Sequence, residues 1–375
     1  MQPLRLTPEL FDSLAAASGS GLISIFVPTH DRGRSEVAQN PIRLKNQLAA
    51  ADGQLEELGR KPRERRARLA AAQDILEDRE FWEHQTVGLA VFIDDEGRTT
   101  AISLSWQPEP ASCVMQRFLV RHLVPELNRH RHPILVLTRN AVRLYEVDGD
   151  EIELQDVDLP GSFDDVNWFV DREKQRQQHP DRVGTDSARH GHDPSAQRHA
   201  DIERFVRAVA ESLPVDLDGP LIVLGDDRLA ELFVDEYSGE CVSPRHGGLG
   251  DPDNPTEVRD VGQTPIQLVE QEREDALMAR LEAQIAAGNA TTSMEQALPA
   301  AFSGRLSDVV VARDAPSRWG RFDRSGFEVS ISDTRRPGDV DLLDSLVVEA
   351  HRTGAHLYAS RAEIDSSDFA AVFRF

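Results

Sequence analysis

Four short apolar runs most constrain the fold of this chain: residues 22–27 (Leu-Ile-Ser-Ile-Phe-Val), 134–137, 221–224 and 309–311. Each has the length of a strand, too short for a helix. Runs that are apolar at nearly every position suit strands covered on both faces, as happens when helices flank a sheet. Segments with helical spacing lie between them, so the pattern predicts an α/β protein. Helices are expected at 8–17, from Pro41 onward, at 63–78, at 202–210, from Asp227, at 264–287 and at 340–352. The 264–287 helix carries its stripe at Leu268, Leu277, Leu281 and Ile285. Strands at 86–93 and 99–104 flank the turn Asp94-Asp95-Glu96-Gly97, a hairpin signal. Strands at 142–147 and 152–157 flank Asp148-Gly149-Asp150, extending 134–137 into a three-stranded meander. A hairpin is expected around Arg324-Ser325-Gly326, a strand at 357–359, and a last strand at 372–375.

A chain of 375 residues is too long for one average core. The Gly/Pro/Asp-rich stretch 244–255 reads as a linker, and three α/β domains in series follow: 1–128, 129–255 and 256–375. No run approaches a membrane span, and the first residues lack a signal-peptide core, so a cytoplasmic protein is expected, with no membrane partner. Cys113 and Cys241 stand apart without a metal-ligand spacing and are expected to be buried free thiols. The formal charge of −23 argues against a simple nucleic-acid binder, which would normally show a basic face, and no DNA partner is expected. Lysine occurs only at Lys45, Lys61 and Lys174, so arginine supplies nearly all the positive charge. Acid excess with scarce lysine fits a high-salt interior, and GC-rich coding with an ordinary acidic surface explains it about as well; in strong salt, screening would shorten the reach of repulsion, so that RNA contact is less opposed.

Residues 171–199 are almost devoid of apolar side chains, yet sit between the meander and the 202–210 helix. A polar excursion of this length inside an α/β segment is functional or disordered. It holds His179, His190, His192 and His199. Histidines two apart on an extended segment point the same way, but no carboxylate or cysteine at fixed spacing completes a metal set, so no metal is expected. An exposed Arg/His loop touching RNA needs only donors. No Gly-x-Ser-x-Gly or Cys–His pattern marks a nucleophile. Gly225-Asp226-Asp227 lacks the glycine spacing and lysine of a phosphate loop, and no cofactor is expected.

Several phrases then go together: Ser24-Ile25-Phe26-Val27-Pro28-Thr29-His30, Asn40-Pro41-Ile42-Arg43-Leu44-Lys45-Asn46, Asp78-Arg79-Glu80-Phe81-Trp82, Asn140-Ala141-Val142-Arg143-Leu144-Tyr145, Arg318-Trp319-Gly320-Arg321-Phe322, and Pro337-Gly338-Asp339 with Asp341-Leu342-Leu343-Asp344. Their order resembles the class I peptide-chain release factors and Pelota rescue factors of archaea and eukaryotes, and their bacterial relatives, the bacterial archaeo-eukaryotic release factor family. The resemblance implies a decoding-type first domain, a ribonuclease-H-like middle domain and a C-terminal domain like ribosomal protein L7Ae. It implies the ribosome as partner through rRNA and tRNA, and a translational GTPase. Release factors carry a Gly-Gly-Gln tripeptide in the middle-domain loop. At that place this chain has Arg189-His190-Gly191-His192-Asp193 and then Gln197, with no paired glycines before a glutamine. Candidate site residues are therefore His190, Gly191, His192 and Gln197. Candidate RNA contacts are Asn40, Arg43 and Lys45 in the first domain, and Arg189 and Arg198 in the loop. The expected function is a ribosome-associated factor without Gly-Gly-Gln hydrolysis. The alternatives are a hydrolase of a tRNA or nucleotide ester acting through the histidine loop, and a non-catalytic protein-binding adaptor.

Overall fold

The computed structural model describes residues 2–30, 37–83, 85–149, 151–166, 194–215, 217–243, 249–361, 364 and 367–374. They form a mixed α/β fold with two compact units, one of residues Met1–Arg129 with Glu274–Phe375, the other of residues His130–Arg273.

In the first unit, Thr7 caps helix α1 (Pro8–Ala16) by accepting from Leu10 N at 3.2 Å, and Pro8 occupies the first turn, where its missing N–H costs nothing. Strand β1 (Leu22–Pro28) leads to helices α2 (Asn40–Glu57), α3 (Pro62–Asp74) and α4 (Arg79–Glu83). Strands β2 (Gly88–Ile93), β3 (Thr99–Leu104) and β4 (Ala111–Met115) then complete an antiparallel sheet of order β3-β2-β1-β4. The short helix α5 (Val124–Leu127) closes this segment. The two-residue period of β1 divides its side chains between two cores. Ile23, Ile25 and Val27 meet Leu44, Leu48, Leu55 and Leu69 from α2 and α3. Leu22 and Phe26 belong to a larger cluster with Phe11 of α1.

The second unit places β5 (His132–Leu137), β6 (Val142–Asp148) and β7 (Glu151–Leu154) beside β8 (Leu221–Gly225) and β9 (Cys241–Val242), in the order β7-β6-β5-β8-β9. β5 and β6 are antiparallel, while β5 and β8 run parallel with Ile134 opposite Ile222. One face packs on helices α6 (Pro194–Ser212) and α7 (Asp227–Glu236) through Phe205 and Phe233. The other face, with Ile134, Val136, Ile222 and Leu224, packs on Val258 and Val269 of helix α8 (Pro255–Ala286). Cover on both faces is why β5 and β8 are continuous apolar runs.

The rest of the first unit begins with β10 (Ala290–Thr291), α9 (Met294–Phe302), β11 (Leu306–Ala312), β12 (Trp319–Asp323), β13 (Glu328–Ile331) and β14 (Val340–Asp341). Helix α10 (Leu342–Arg352) and strands β15 (His356–Ser360) and β16 (Phe369–Phe373) follow. One sheet has the order β10-β16-β11-β15 and a small one the order β13-β12-β14. Leu346 and Val347 of α10 and Phe369 of β16 enter the same cluster as Phe11 and Phe26, so residues from both ends of the chain share one core. A buried polar joint reinforces it. Asp341 caps α10 by accepting from Leu343 N and Asp344 N, and its Oδ2 lies 3.3 Å from Arg121 Nε. Asp344 Oδ1 accepts from Val120 N at 2.6 Å and Arg121 N at 2.8 Å.

Some expectations need correction. The polar stretch is not loop to residue 199, because α6 already begins at Pro194. The helix expected from Thr264 starts at Pro255 and runs through Pro265. The last strand ends at Phe373, and β4 and α9 carry no signal that the sequence pattern picks out. Both cysteines are only partly buried, although burial pushes the Cys113 thiol up to about 11.

Candidate functional site at the carboxyl edge of the middle sheet

Parallel strands β5 and β8 end side by side, and in open α/β sheets the carboxyl ends of such strands are where ligands bind. The close approach rests on Gly225, whose φ of +128° is open to glycine alone, and whose added Cβ would lie 2.3 Å from the Leu137 carbonyl oxygen. Asp226 N donates to that same oxygen at 3.0 Å. The Asp226 carboxylate caps α7 by accepting from Arg228 N and Leu229 N, at 3.0 and 3.2 Å. The caps hold Arg228 at the exposed edge, and Arg139 and Asn140 extend past the end of β5 into solvent.

Helix α6 reaches this edge with His199. Arg228 Nη2 lies 3.0 Å from His199 Nδ1, and His199 Nε2 lies 3.4 Å from Glu203 Oε1. A guanidinium has no lone pair to offer, so Nδ1 accepts and the imidazole proton sits on Nε2, directed at Glu203. His199 is about half exposed, at 49%. With Nδ1 already engaged, it is an orienting group more than a free base. The edge presents guanidinium donors from two elements, which suits phosphate or carboxylate recognition.

At the amino end of β5, His132 Nε2 lies 3.2 Å from Glu270 Oε1, and Arg273 Nη1 is 3.4 Å from the same oxygen. Burial alone would raise the Glu270 carboxyl. The hydrogen bond and charge of His132, with His130 and Arg273, outweigh it and hold the group below its ordinary value. Burial, and then the Arg273 charge, lower His130. Sequence reasoning misses this cluster because its two halves lie far apart along the chain and no periodicity joins them.

Arg189, His190, Gly191 and His192 lie outside the described residues. Gln197 and Arg198 fall in the first turns of α6, just ahead of His199. In the first unit, Asn40 is fully buried: it accepts from His30 N at 3.1 Å and donates to His30 O at 2.9 Å, which locks the end of β1 to the start of α2. Burial and these two bonds to His30 leave the side chain out of a ligand's reach. Arg43 donates to Pro28 O at 3.1 Å and is half-buried, while Lys45 is exposed. The Trp319 ring lies under the Arg335 guanidinium at 4.9 Å, and Arg318 pairs with Asp368 at 2.7 Å.

Comparison with known proteins finds likeness to release factors over part of the chain. The family whose model matches is bacterial archaeo-eukaryotic release factor family 3, over residues 131–305, a stretch that includes β5 to β8, α6 and the carboxyl edge. Among solved structures, archaeal translation termination factor aRF1 is 14% identical, with 98% of this chain and 96% of that chain covered and a TM-score of 0.24. Ribosome-bound archaeal Pelota, in a structure with ABCE1, is 14% identical, covering 74% and 72%, at a TM-score of 0.37. Dom34 of S. cerevisiae, a translation termination-like factor that interacts with Hbs1, is 10% identical, covering 74% and 72%, at 0.31. With TM-scores this low, the family match is the finding that carries weight. No curated protein matches the chain.

Proposed function

We propose that the chain is a ribosome-associated factor of the release and rescue type that works without Gly-Gly-Gln-dependent hydrolysis of peptidyl-tRNA. The observation that carries this reading is the family match over residues 131–305. The sequence contains no Gly-Gly-Gln tripeptide: its one Gly-Gly pair, Gly247-Gly248, is followed by leucine, so no glutamine follows paired glycines that would let backbone approach a tRNA end closely. The polar segment 167–193 leads into α6 at an edge where Arg139 and Arg228 offer donors suited to RNA phosphate, a contact that positions without reading sequence. In this reading residues 1–128, 129–255 and 256–375 act as decoding-like, central and L7Ae-like domains. The partners are rRNA, tRNA and a translational GTPase, and the cytoplasm is the setting. No helix among the described residues is long and apolar enough to cross a membrane.

Two measurements test the proposal. Sedimentation through a sucrose gradient with stalled ribosomes should carry the protein into the ribosomal fractions; retention at the top in native salt refutes the association. Incubation with ribosome-bound peptidyl-tRNA should release no peptide above background. Release that disappears in a His190→Ala/His192→Ala variant would instead establish the hydrolase alternative.

A further inference from the structure

An open cleft of about 780 Å³ in the first unit, outside the candidate site, gathers positive charge in a chain of net charge −23. Arg117, Arg324 and Arg352 line it against two carboxylates, Asp12 and Glu349. Glu349 is 3% exposed and receives both Arg324 Nη2 and Arg352 Nε, the latter at 2.8 Å. One carboxylate thus fixes two guanidiniums without neutralising both. Arg117 makes no hydrogen bond or ion pair with any described residue. Asp12 is paired with His351.

One aromatic ring, Phe302, lines the same cleft, and a second, Phe327, stands against it just outside the lining. The Arg324 and Arg352 guanidiniums lie 5.5 and 5.6 Å from the Phe302 ring centroid. Phe327 meets Phe302 edge-on at 5.9 Å and is 49% exposed. Phe327 is also the one non-glycine residue with positive φ, at 55°, among the described residues. That conformation is costly for an aromatic L-residue, and such strain persists where the surroundings or a function hold it. Here it presents a large apolar ring to solvent beside Phe302, over which the two guanidiniums lie, where a hairpin turn would ordinarily carry Gly or Asn.

We propose that this cleft binds a nucleoside phosphate, with the phosphate among Arg117, Arg324 and Arg352 and the base against Phe327 and Phe302. Guanidinium groups with spare donors suit a phosphate, and a base stacks on an aromatic face or a guanidinium plane whatever its identity. The ligand is either a free nucleotide or a nucleotide within single-stranded RNA, which share this chemistry. The inference concerns a different site from the carboxyl edge and stands apart from action at the ribosome.

Isothermal titration of the full chain with AMP, a short oligoadenylate and inorganic phosphate tests it. Two variants spare the fold: Arg117→Gln breaks no described interaction, and Phe327→Gly relieves the positive φ, so its thermal midpoint is kept or raised. AMP or the oligonucleotide should bind more tightly than phosphate, and each variant should weaken that binding by about tenfold, as for loss of one charged donor or one stacked ring. The tighter of the two ligands identifies the source. Three results overturn the proposal: no binding of either nucleotide ligand, phosphate binding as tightly as AMP, or full binding retained in either variant while its fold is intact.

Discussion

Asp344 gives the sharpest quantitative test. Its carboxyl is fully buried, and burial followed by the Asp341 charge pushes its pKa up to about 7 from an ordinary value of 3.8. The N–H groups of Val120 and Arg121 and the Arg121 charge pull the other way and do not prevail. A raised folded pKa means that the native state holds a proton the unfolded chain has released. Its contribution is therefore complete below pH ~3.8 and is lost as pH rises toward 7, at about 1.4 kcal/mol per pH unit. The full loss is about 4 kcal/mol on that slope. Asp344→Asn keeps the carbonyl oxygen that accepts from Val120 and Arg121 but cannot ionise. Other titrating groups, including His122, whose imidazole is held low by burial, cancel in the difference between variant and wild type. Urea unfolding followed by tryptophan fluorescence is a suitable assay, because Trp82, Trp106 and Trp319 all lie in this unit. The stability of the variant relative to wild type should climb from pH 4 to 7 and level off above that, on the order of 4 kcal/mol higher at the plateau than at acid pH. A flat difference, or one that falls with pH, would mean that Asp344 is ionised in the folded protein and that Arg121 governs the joint.

Three further outcomes follow. Gly225→Ala should cost about 3 kcal/mol or more from positive-φ strain and collision with the Leu137 carbonyl, seen as a lower thermal midpoint; a neutral effect would refute the close approach of β8 to β5. Asn40→Ala should cost about 2–3 kcal/mol by leaving the His30 N–H and C=O unpaired, without changing RNA or ribosome affinity once folded; selective loss of affinity would restore Asn40 as a ligand contact. Glu270→Gln should destabilise the second unit modestly above pH ~4.5, by an amount that shrinks as pH falls below that, since a depressed carboxyl contributes stability that is lost as pH falls through its folded pKa. Urea midpoints at pH 7 and pH 3.5 distinguish this from a pH-independent packing effect.

The elements legible in the sequence are those whose burial is written locally. β1, β5 and β8 are continuous apolar runs because helices or a second core cover both faces. The β2–β3 hairpin is marked by its turn, where Gly97 takes a φ of +83°. By contrast, β4 is only Ala-Ser-Cys-Val-Met, with one fully buried residue and no readable alternation. Pro265 reads locally as the start of a helix, yet Val258 and Val269 bury in one cluster and carry α8 across it. The first turns of α6 have no apolar stripe to read. The phrase Asp341-Leu342-Leu343-Asp344 is recognisable as a motif, but nothing local to it says that Asp344 reaches Val120 and Arg121. Of the proposed RNA contacts, Asn40 shows how a polar residue at a helix start can be wholly committed to backbone, which only three-dimensional neighbours reveal.

The core shared by the two ends of the chain has a consequence for synthesis. The bonds from Val120 and Arg121 to Asp344 span 224 and 223 positions. At the elongation rates of living cells the partner emerges roughly 10–45 s after the segment that needs it. By then the middle unit, contiguous in sequence, is fully synthesised, whereas the cluster that holds Phe26, Phe92 and Trp106 still lacks its share from α10 and β16. A nascent chain halted before α10 therefore has the whole middle unit but only part of the first unit's core.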